Sequence, residues 1–111
     1  MNWHDLTHES QLKTITEASF TRPQVIFKHS TRCSISKVVK DRLERKVAPA
    51  SIDFYYLDLI AHRSLSDKIA EDFGVDHESP QVLLISNGQC IYNESHSSIT
   101  MDDIESESMS K

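Results

Sequence analysis

Apolar residues recur along this chain with two different periods, and the changes of period predict its order of helices and strands. Runs rich in β-branched and aromatic residues predict four strands, at residues 24–29, 53–59, 82–85 and 90–93. Apolar residues three and four positions apart predict four helices, at residues 7–20, 33–47, 63–73 and 100–104. We expect Thr7 or Asp5 to cap the first helix. Trp3 is then expected to fold over the start of this helix as a core residue.

This order of elements predicts an α/β fold. A helix between two strands favours parallel pairing with a right-handed crossover. Asn87 and Gly88 instead predict a hairpin turn, which makes the last two strands antiparallel. We therefore predict a mixed four-stranded sheet with helices on both faces. The predicted domain covers residues 1–111, with a frayed tail over residues 105–111.

Cys33 lies where a buried strand gives way to a helix, and this position favours reactive chemistry. The loop between strand and helix covers residues 30–32, with Thr31 as the expected N-cap. Cys33 then occupies the first helical turn, where unpaired backbone N–H groups and the helix dipole favour a thiolate over a thiol. Three nearby basic residues add to this effect if they turn toward the sulfur: Lys28, His29 and Arg32. The alternative is that Cys33 is a small apolar residue at a helix start.

The segment Cys33-Ser34-Ile35-Ser36 has C-x-x-S spacing. A second cysteine at position 36 would make this a dithiol redox motif. Ser36 cannot close a disulfide, but its hydroxyl is placed to donate a hydrogen bond to a thiolate one helical turn away. This spacing indicates monothiol exchange, in which Cys33 accepts a thiol cap and another thiol later removes it. For Cys90, the only other cysteine, a structural role in a strand is favoured.

Composition narrows the possible functions. The formal charge of −5 argues against general binding to nucleic acid. No apolar run approaches the roughly 18 residues of a membrane span, and the first residues lack the pattern of a signal peptide. We therefore expect a cytoplasmic protein without membrane association, whose cysteines are not joined in a structural disulfide. The six histidines form no metal-binding motif with the cysteines, so no metal site is expected.

Residues 29–36 resemble the active-site segment of the bacillithiol-system monothiol bacilliredoxins. A weaker resemblance extends over most of the chain, at Trp3 with Leu6-Thr7, Tyr56-Leu57-Asp58, Gly74-Val75, Ser79-Pro80-Gln81, Asn87-Gly88 and Ile99-Thr100. The sequence departs from the family pattern at two places. Ser34 follows the cysteine where many members have proline, and residues 96–98 lack a tryptophan that is associated with this region.

The resemblance implies a thioredoxin-like fold and the removal of bacillithiol from S-bacillithiolated proteins. It also implies a cis peptide bond before Pro80, so that the backbone of Ser79 faces Cys33 and pairs with the bound disulfide partner. Arg32, and secondarily Lys28, would pair with the carboxylates of bacillithiol. No bound cofactor is implied, and bacillithiol acts as a co-substrate. The implied partners are bacillithiolated client proteins and a low-molecular-weight thiol that frees Cys33.

Two other functions stay open at this stage. A binding module or redox sensor with the same fold would recognise an extended partner segment near Pro80, with Cys33 only sensing the redox state. A dithiol reductase would use Cys33 together with Cys90 and would form an intramolecular disulfide under mild oxidation.

Overall fold

The computed structural model describes residues 1–109, which form five strands, four α-helices and one short 3-10 helix. The strands are β1 (Trp3–Asp5), β2 (Gln24–His29), β3 (Asp53–Asp58), β4 (Gln81–Ser86) and β5 (Gln89–Ser95). The α-helices are α1 (Ser10–Ala18), α2 (Ser34–Glu44), α3 (Arg63–Phe73) and α4 (Met101–Met109), and the 3-10 helix His96–Ser98 precedes α4. The predicted α/β fold class is confirmed, with five strands instead of four.

The strands form one sheet with the order β1-β3-β2-β4-β5. β1 and β2 both run parallel to β3, whereas β4 is antiparallel to β2 and β5 is antiparallel to β4. β2 therefore lies at the centre, and all six of its residues are buried, as is typical of an apolar strand that is covered on both faces. The sequence pattern does not predict β1, because three residues are too few to show an alternation.

Successive residues of β2 face opposite sides of the sheet and pack into different hydrophobic cores. Val25 and Phe27 pack with apolar residues of α2 and α4. Ile26 packs with apolar residues of α1 and α3. The same alternation assigns the last two residues of the strand to different faces, Lys28 to the side of α1 and α3 and His29 to the side of α2.

α1 begins later than the pattern predicts, because its N-cap is Glu9 instead of Thr7 or Asp5. The side chain of Gln11 holds the preceding turn in place. Its Oε1 accepts the backbone N–H groups of Thr7 at 2.8 Å and His8 at 2.9 Å, and its Nε2 donates to the carbonyl of Asp5 at 2.9 Å. A side chain within the helix thus satisfies backbone groups of the segment that precedes it.

The C-terminal helix is longer than predicted. The sequence pattern ends this helix at residue 104, whereas α4 continues to Met109; fraying at the end of the chain stays a prediction. Positions 110 and 111 lie outside the described residues. No helix in residues 1–109 combines the length and the apolar composition that a bilayer span requires.

Trp3 is half-buried and packs against the core on the α2 side of the sheet, and not over the start of α1 as predicted. Its indole stacks on Phe27, with ring centroids 5.6 Å apart, and meets Phe54 edge-on at 6.1 Å. The indole Nε1 donates a hydrogen bond of 2.7 Å to a carboxylate oxygen of Glu44 in α2. Trp3 therefore joins the edge strand β1 to the core beneath α2.

Candidate functional site

Cys33 is the N-cap residue of α2, one position before the first helical turn in which the sequence pattern puts it. Its carbonyl accepts the N–H of Lys37 at 3.2 Å, and its own N–H donates to the carbonyl of Ser30 at 3.2 Å. The prediction that Thr31 caps this helix is wrong, because α2 begins at Ser34 and has no side-chain cap. The Cys33 residue is partly exposed. It lies at the positive end of the helix dipole, where negative charge is favoured.

Ser36, at the position of the second cysteine in a C-x-x-C motif, is fully buried. Its Oγ lies 2.7 Å from Nδ1 of His29 and accepts the N–H of Ser30 at 3.1 Å. These are the hydrogen bonds of this hydroxyl within residues 1–109, so the predicted bond from Ser36 to Cys33 is not formed in this arrangement. Ser36 nevertheless lies three residues after Cys33, on the same side of α2.

His29 belongs to the site through a contact that the sequence does not indicate. It ends β2 on the face of Phe27, and only 6% of its surface is exposed. Its ring lies 5.8 Å from the ring of Phe27 and 5.5 Å from the ring of Tyr56. Strand alternation would have assigned His29 to the α2 face. The hydrogen bond to Ser36, however, crosses the β2–α2 loop, and no local sequence pattern marks it.

The surroundings of His29 favour the neutral imidazole. Burial lowers the pKa of His29 below its ordinary value of 6.5, and the positive charge of Lys40 acts in the same direction. The negative charges of Asp58 and Glu44 and a hydrogen bond with the backbone of Ser36 oppose this pKa shift but do not cancel it. At neutral pH, Nδ1 of an uncharged His29 is therefore able to accept a hydrogen bond from the Ser36 hydroxyl.

The Ser79–Pro80 peptide bond is cis, as the resemblance implies. β4 begins at Gln81, which pairs with Lys28 near the end of β2. The two residues before β4 therefore lie beside the end of β2, where the loop to Cys33 begins. Pro80 is buried, and its carbonyl accepts the N–H of His96 at 2.9 Å. The hydroxyl of Ser79 is enclosed and has no hydrogen-bond partner within residues 1–109, so this group keeps unused hydrogen-bonding capacity next to the site.

Of the two basic residues predicted to bind a ligand, only Arg32 is at the surface, directly beside Cys33. Lys28 is fully buried on the opposite face of the sheet. Its Nζ donates to the carbonyl of Ser66 at 3.1 Å and lies 3.4 Å from Nδ1 of His77. The prediction that Lys28 binds a thiol ligand is wrong, because strand alternation turns its side chain toward α3. Burial lowers the pKa of Lys28 from 10.5 to about 8.

Cys90 lies at the other end of the sheet from Cys33. Cys90 pairs with Ile85, and Ile85 pairs with Gln24, the first residue of β2, whereas Cys33 follows the last residue of that strand. Cys90 packs against the core of α1 and α3, and burial raises the pKa of its thiol. A disulfide needs Cα atoms within about 7 Å. The fold does not bring these two thiols together.

An exposed apolar surface adjoins Cys33. Ile35 and Val38 on α2 are 49% and 58% exposed. Together with Arg42 and Ser97, they line part of a shallow cavity of about 180 Å³. Exposed apolar side chains are common on protein surfaces, but these two lie within the first two turns of the helix that begins beside the thiol. They extend the site toward the 3-10 helix His96–Ser98 as a surface for apolar contact.

The chemistry available at this site is that of a single sulfur. Residues 1–109 contain no cluster of three or more His, Cys, Asp or Glu side chains that could hold a metal ion. A partly exposed cysteine at a helix N-terminus is placed for nucleophilic attack on a disulfide. Its neighbours are a buried His29–Ser36 pair, the cis Pro80 loop and the exposed Arg32.

Comparison with known proteins shows the family and the fold of this chain. Residues 4–104 match the family model described as monothiol bacilliredoxin BrxC. A solved structure described as a candidate oxidoreductase with a thioredoxin fold is 30% identical, with a TM-score of 0.81 over 93% of this chain and 90% of that chain. The thioredoxin of Malassezia sympodialis is 19% identical, with a TM-score of 0.73 over 98% of this chain and 90% of that chain.

Oxidized mitochondrial thioredoxin 3 of Saccharomyces cerevisiae is 18% identical, with a TM-score of 0.74 over 98% of this chain and 95% of that chain. The likeness to these structures confirms the predicted thioredoxin-like fold. The family match includes the whole segment from β2 to α2 that carries Cys33. With the fold, the C-x-x-S segment and this match in agreement, the chain belongs to the monothiol bacilliredoxin family.

Proposed function

We propose that this protein removes bacillithiol from S-bacillithiolated proteins by monothiol exchange at Cys33. The observation that carries the proposal is the separation of the two cysteines. Cys33 is partly exposed at the N-cap of α2, whereas Cys90 lies at the opposite end of the sheet. A protein with one usable thiol accepts a cap from a mixed disulfide but cannot release it by closing an internal disulfide. Membership of the monothiol bacilliredoxin family supports the same chemistry.

The reaction has two exchange steps. In the first step, the Cys33 thiolate attacks the bacillithiol sulfur of the mixed disulfide. A Cys33–bacillithiol disulfide forms while the bond to the client cysteine breaks, and the client sulfur leaves as a thiolate that takes a proton from water. In the second step, the thiolate of another small thiol attacks the same bacillithiol sulfur, so that Cys33 leaves as a thiolate and a small-molecule disulfide is released. Bacillithiol is a co-substrate, and no bound cofactor takes part.

Arg32 and Ser79 are the residues that we assign to substrate binding. Bacillithiol carries carboxylates, which the planar guanidinium of the exposed Arg32 would bind through two hydrogen bonds. The backbone of Ser79, beside the cis Pro80, would pair with an extended segment of the client as an added strand. The exposed Ile35 and Val38 would add apolar contacts to the client polypeptide. We place the reaction in the cytoplasm, where small thiols keep cysteines reduced.

Intact-protein mass spectrometry tests this function directly. The reduced protein is mixed with a purified bacillithiolated substrate protein, in parallel with the variants Cys33→Ala and Cys90→Ala. We expect one bacillithiol mass to move to the wild type and to Cys90→Ala, with release of the substrate thiol. We expect no transfer to Cys33→Ala. Cys90→Ala is the matched control, because it removes the other thiol of the chain without changing the site.

The other outcomes separate the competing functions. If the wild type loses the mass of two hydrogens and Cys90→Ala does not, an internal disulfide forms and the protein is a dithiol reductase. If the substrate keeps its bacillithiol with all three proteins, Cys33 does not carry out this exchange. That result would favour a binding module or redox sensor that recognises an extended partner segment near Pro80.

A further inference from the structure

Lys28 contacts the loop that precedes the cis Pro80, and neither exchange step uses this contact. Lys28 is the fifth residue of β2 and is fully buried. Its Nζ lies 3.4 Å from Nδ1 of His77, in the loop between α3 and β4. The Oγ of Ser66, a buried residue of α3, lies 3.2 Å from the same Nδ1. A buried amine of the central strand thus meets the loop that carries Ser79.

The ammonium group of Lys28 fixes the direction of this contact. An ammonium has N–H donors and no acceptor, so it bonds Nδ1 of His77 only while this nitrogen has no proton. The pKa of Lys28 is about 8, so the amine is mostly charged at neutral pH. The neutral imidazole therefore carries its proton on Nε2. A ring with a proton on Nδ1 would point an N–H at the ammonium, whether the ring is neutral or charged.

A buried glutamine holds the backbone of the same loop. The side chain of Gln81, the first residue of β4, donates from Nε2 to the carbonyl of Asp76 at 3.0 Å. Its Oε1 accepts the N–H of Glu78 at 3.4 Å. Gln81 thus holds the backbone on both sides of His77, and the contact with Lys28 holds the ring between them.

We propose that Lys28 is a positioning residue, which holds the ring of His77 so that the backbone of Ser79, two residues later, is kept in place for pairing with the client. The inference rests on the proposed function, because it concerns how the client is bound at Ser79. Neither Lys28 nor His77 touches the reacting sulfur atoms, and the contact transfers no proton and no electron. A role in client binding also accounts for a charged amine at a site where burial opposes the charge.

Charged groups from β2, from α3 and from its own loop face His77. Lys28 comes from β2, Asp67 and Arg63 come from α3, and Glu78 comes from the loop. Desolvation and the positive charge of Lys28 lower the pKa of His77 below its ordinary value of 6.5, and Arg63 acts in the same direction. The negative charges of Asp67 and Glu78 oppose this pKa shift but do not cancel it. Nδ1 of His77 is therefore free to accept a hydrogen bond at neutral pH.

Single-turnover transfer from a purified bacillithiolated substrate protein separates client binding from chemistry. Varying the client concentration gives a half-saturating concentration and a saturating rate for each variant. In Lys28→Met we expect the half-saturating concentration to rise about fivefold, the effect of losing one long hydrogen bond, while the saturating rate stays unchanged. The exposed-lysine control Lys13→Met should match the wild type. Because removing a buried charge stabilises the fold, unfolding does not explain weaker client binding in Lys28→Met.

Two replacements of His77 test the same contact from the side of the loop. Asn keeps an oxygen acceptor close to the position of Nδ1, whereas Ala removes the acceptor. We expect His77→Asn to match the wild type and His77→Ala to match Lys28→Met. The double variant Lys28→Met/His77→Ala should also raise the half-saturating concentration about fivefold, and not by the roughly twenty-fivefold product of two independent effects. Independent effects would overturn the proposal.

Two measurements without a client separate this inference from the proposed function. Alkylation of Cys33 by iodoacetamide, in the Cys90→Ala background, should have the same rate with and without Lys28→Met; a changed rate would mean that Lys28 acts on the thiol itself and would overturn the positioning role. In NMR titrations, the midpoint of the His77 ring should rise in Lys28→Met, because a positive charge beside Nδ1 is removed. An unchanged midpoint would show that the ammonium does not face this nitrogen, which would also overturn the inference.

The transfer experiment distinguishes the failure of this inference from the failure of the proposed function. If the wild type accepts bacillithiol and Lys28→Met has the same half-saturating concentration, the inference is wrong and the proposed function stands. If the wild type accepts no bacillithiol from the client at any concentration, the proposed function itself is wrong.

Discussion

Replacing Lys28 with Met should make the protein more stable at neutral pH, by an amount that decreases as the pH rises. Lys28 is fully buried, and its Nζ has the carbonyl of Ser66 and the ring of His77 as its hydrogen-bonding partners within residues 1–109. Burial lowers its pKa from 10.5 to about 8, against the opposing charge of Asp67. At about 1.36 kcal/mol per pH unit, holding this amine charged in the folded state costs about 3 kcal/mol relative to the unfolded chain.

The sign follows from proton binding. Below pH 8 the amine is charged in both states, so the whole cost is present. Between pH 8 and 10.5 the unfolded chain binds more protons than the folded one, and stability therefore rises with pH. Methionine has a similar length and does not titrate. The stability difference between Lys28→Met and the wild type should therefore shrink by about 2.5 kcal/mol between about pH 7 and pH 10.

Urea unfolding followed by far-ultraviolet circular dichroism measures this difference at a series of pH values under reducing conditions. The other titrating groups are present in both proteins, so their effects cancel in the comparison. Lys13→Met provides the control, because Lys13 is an exposed lysine on α1. The difference in the free energy of unfolding between Lys13→Met and the wild type should not change in this way with pH. If the free energies of unfolding of Lys28→Met and the wild type stay parallel from pH 7 to pH 10, the burial argument for Lys28 is refuted.

Two further substitutions test the hairpin and the binding loop. Gly88 has a φ of +78°, a backbone conformation that strains a residue with a side chain. Gly88→Ala should therefore lower the free energy of unfolding, measured by urea titration, by about 1–2 kcal/mol. An unchanged free energy of unfolding would mean that the turn is not held in the left-handed conformation. Arg32→Ala should slow bacillithiol transfer by up to about fivefold, because a surface ion pair contributes at most about 1 kcal/mol. The control is Arg45→Ala, at the far end of α2, which should leave the transfer rate unchanged. Equal transfer rates in the two arginine variants would remove Arg32 from the binding site.

The sequence predicts most of the helices and strands, because the spacing of apolar residues matches the faces that these elements bury in the fold. β2, β3 and the β4–β5 hairpin form where β-branched and aromatic runs occur, and α3 has the predicted bounds and ends before Gly74, a glycine in the left-handed conformation. The sequence pattern does not predict β1, because this strand depends on tertiary interactions. Its three residues gain their stability from pairing with β3 and from the contacts of Trp3, and both are tertiary interactions.

Within the site, the sequence predicts that Cys33 lies at the start of a helix, but it does not predict the surroundings of the neighbouring residues. Lys28 is close to Cys33 along the chain, yet strand alternation places its side chain on the opposite face of the sheet. Because consecutive residues of a strand face opposite sides of the sheet, the sequence could have predicted that Lys28 and His29 lie on different faces. The bond between His29 and Ser36 depends on how α2 packs against β2. The C-x-x-S spacing alone therefore suggests that the Ser36 hydroxyl donates a hydrogen bond to Cys33. Tertiary packing instead pairs this hydroxyl with His29.

Trp3 provides the molecule with an intrinsic optical probe. It is the only tryptophan of the sequence, and its indole stacks on Phe27, two residues before His29 on the same face of β2. Indole emission moves to longer wavelength when the ring enters water, so the fluorescence reports directly on this contact. A change in emission at a lower urea concentration than the loss of circular dichroism would mean that the edge strand leaves before the sheet unfolds. Tryptophan fluorescence thus measures the unfolding of the core beside Cys33, and no dye has to be attached to either cysteine.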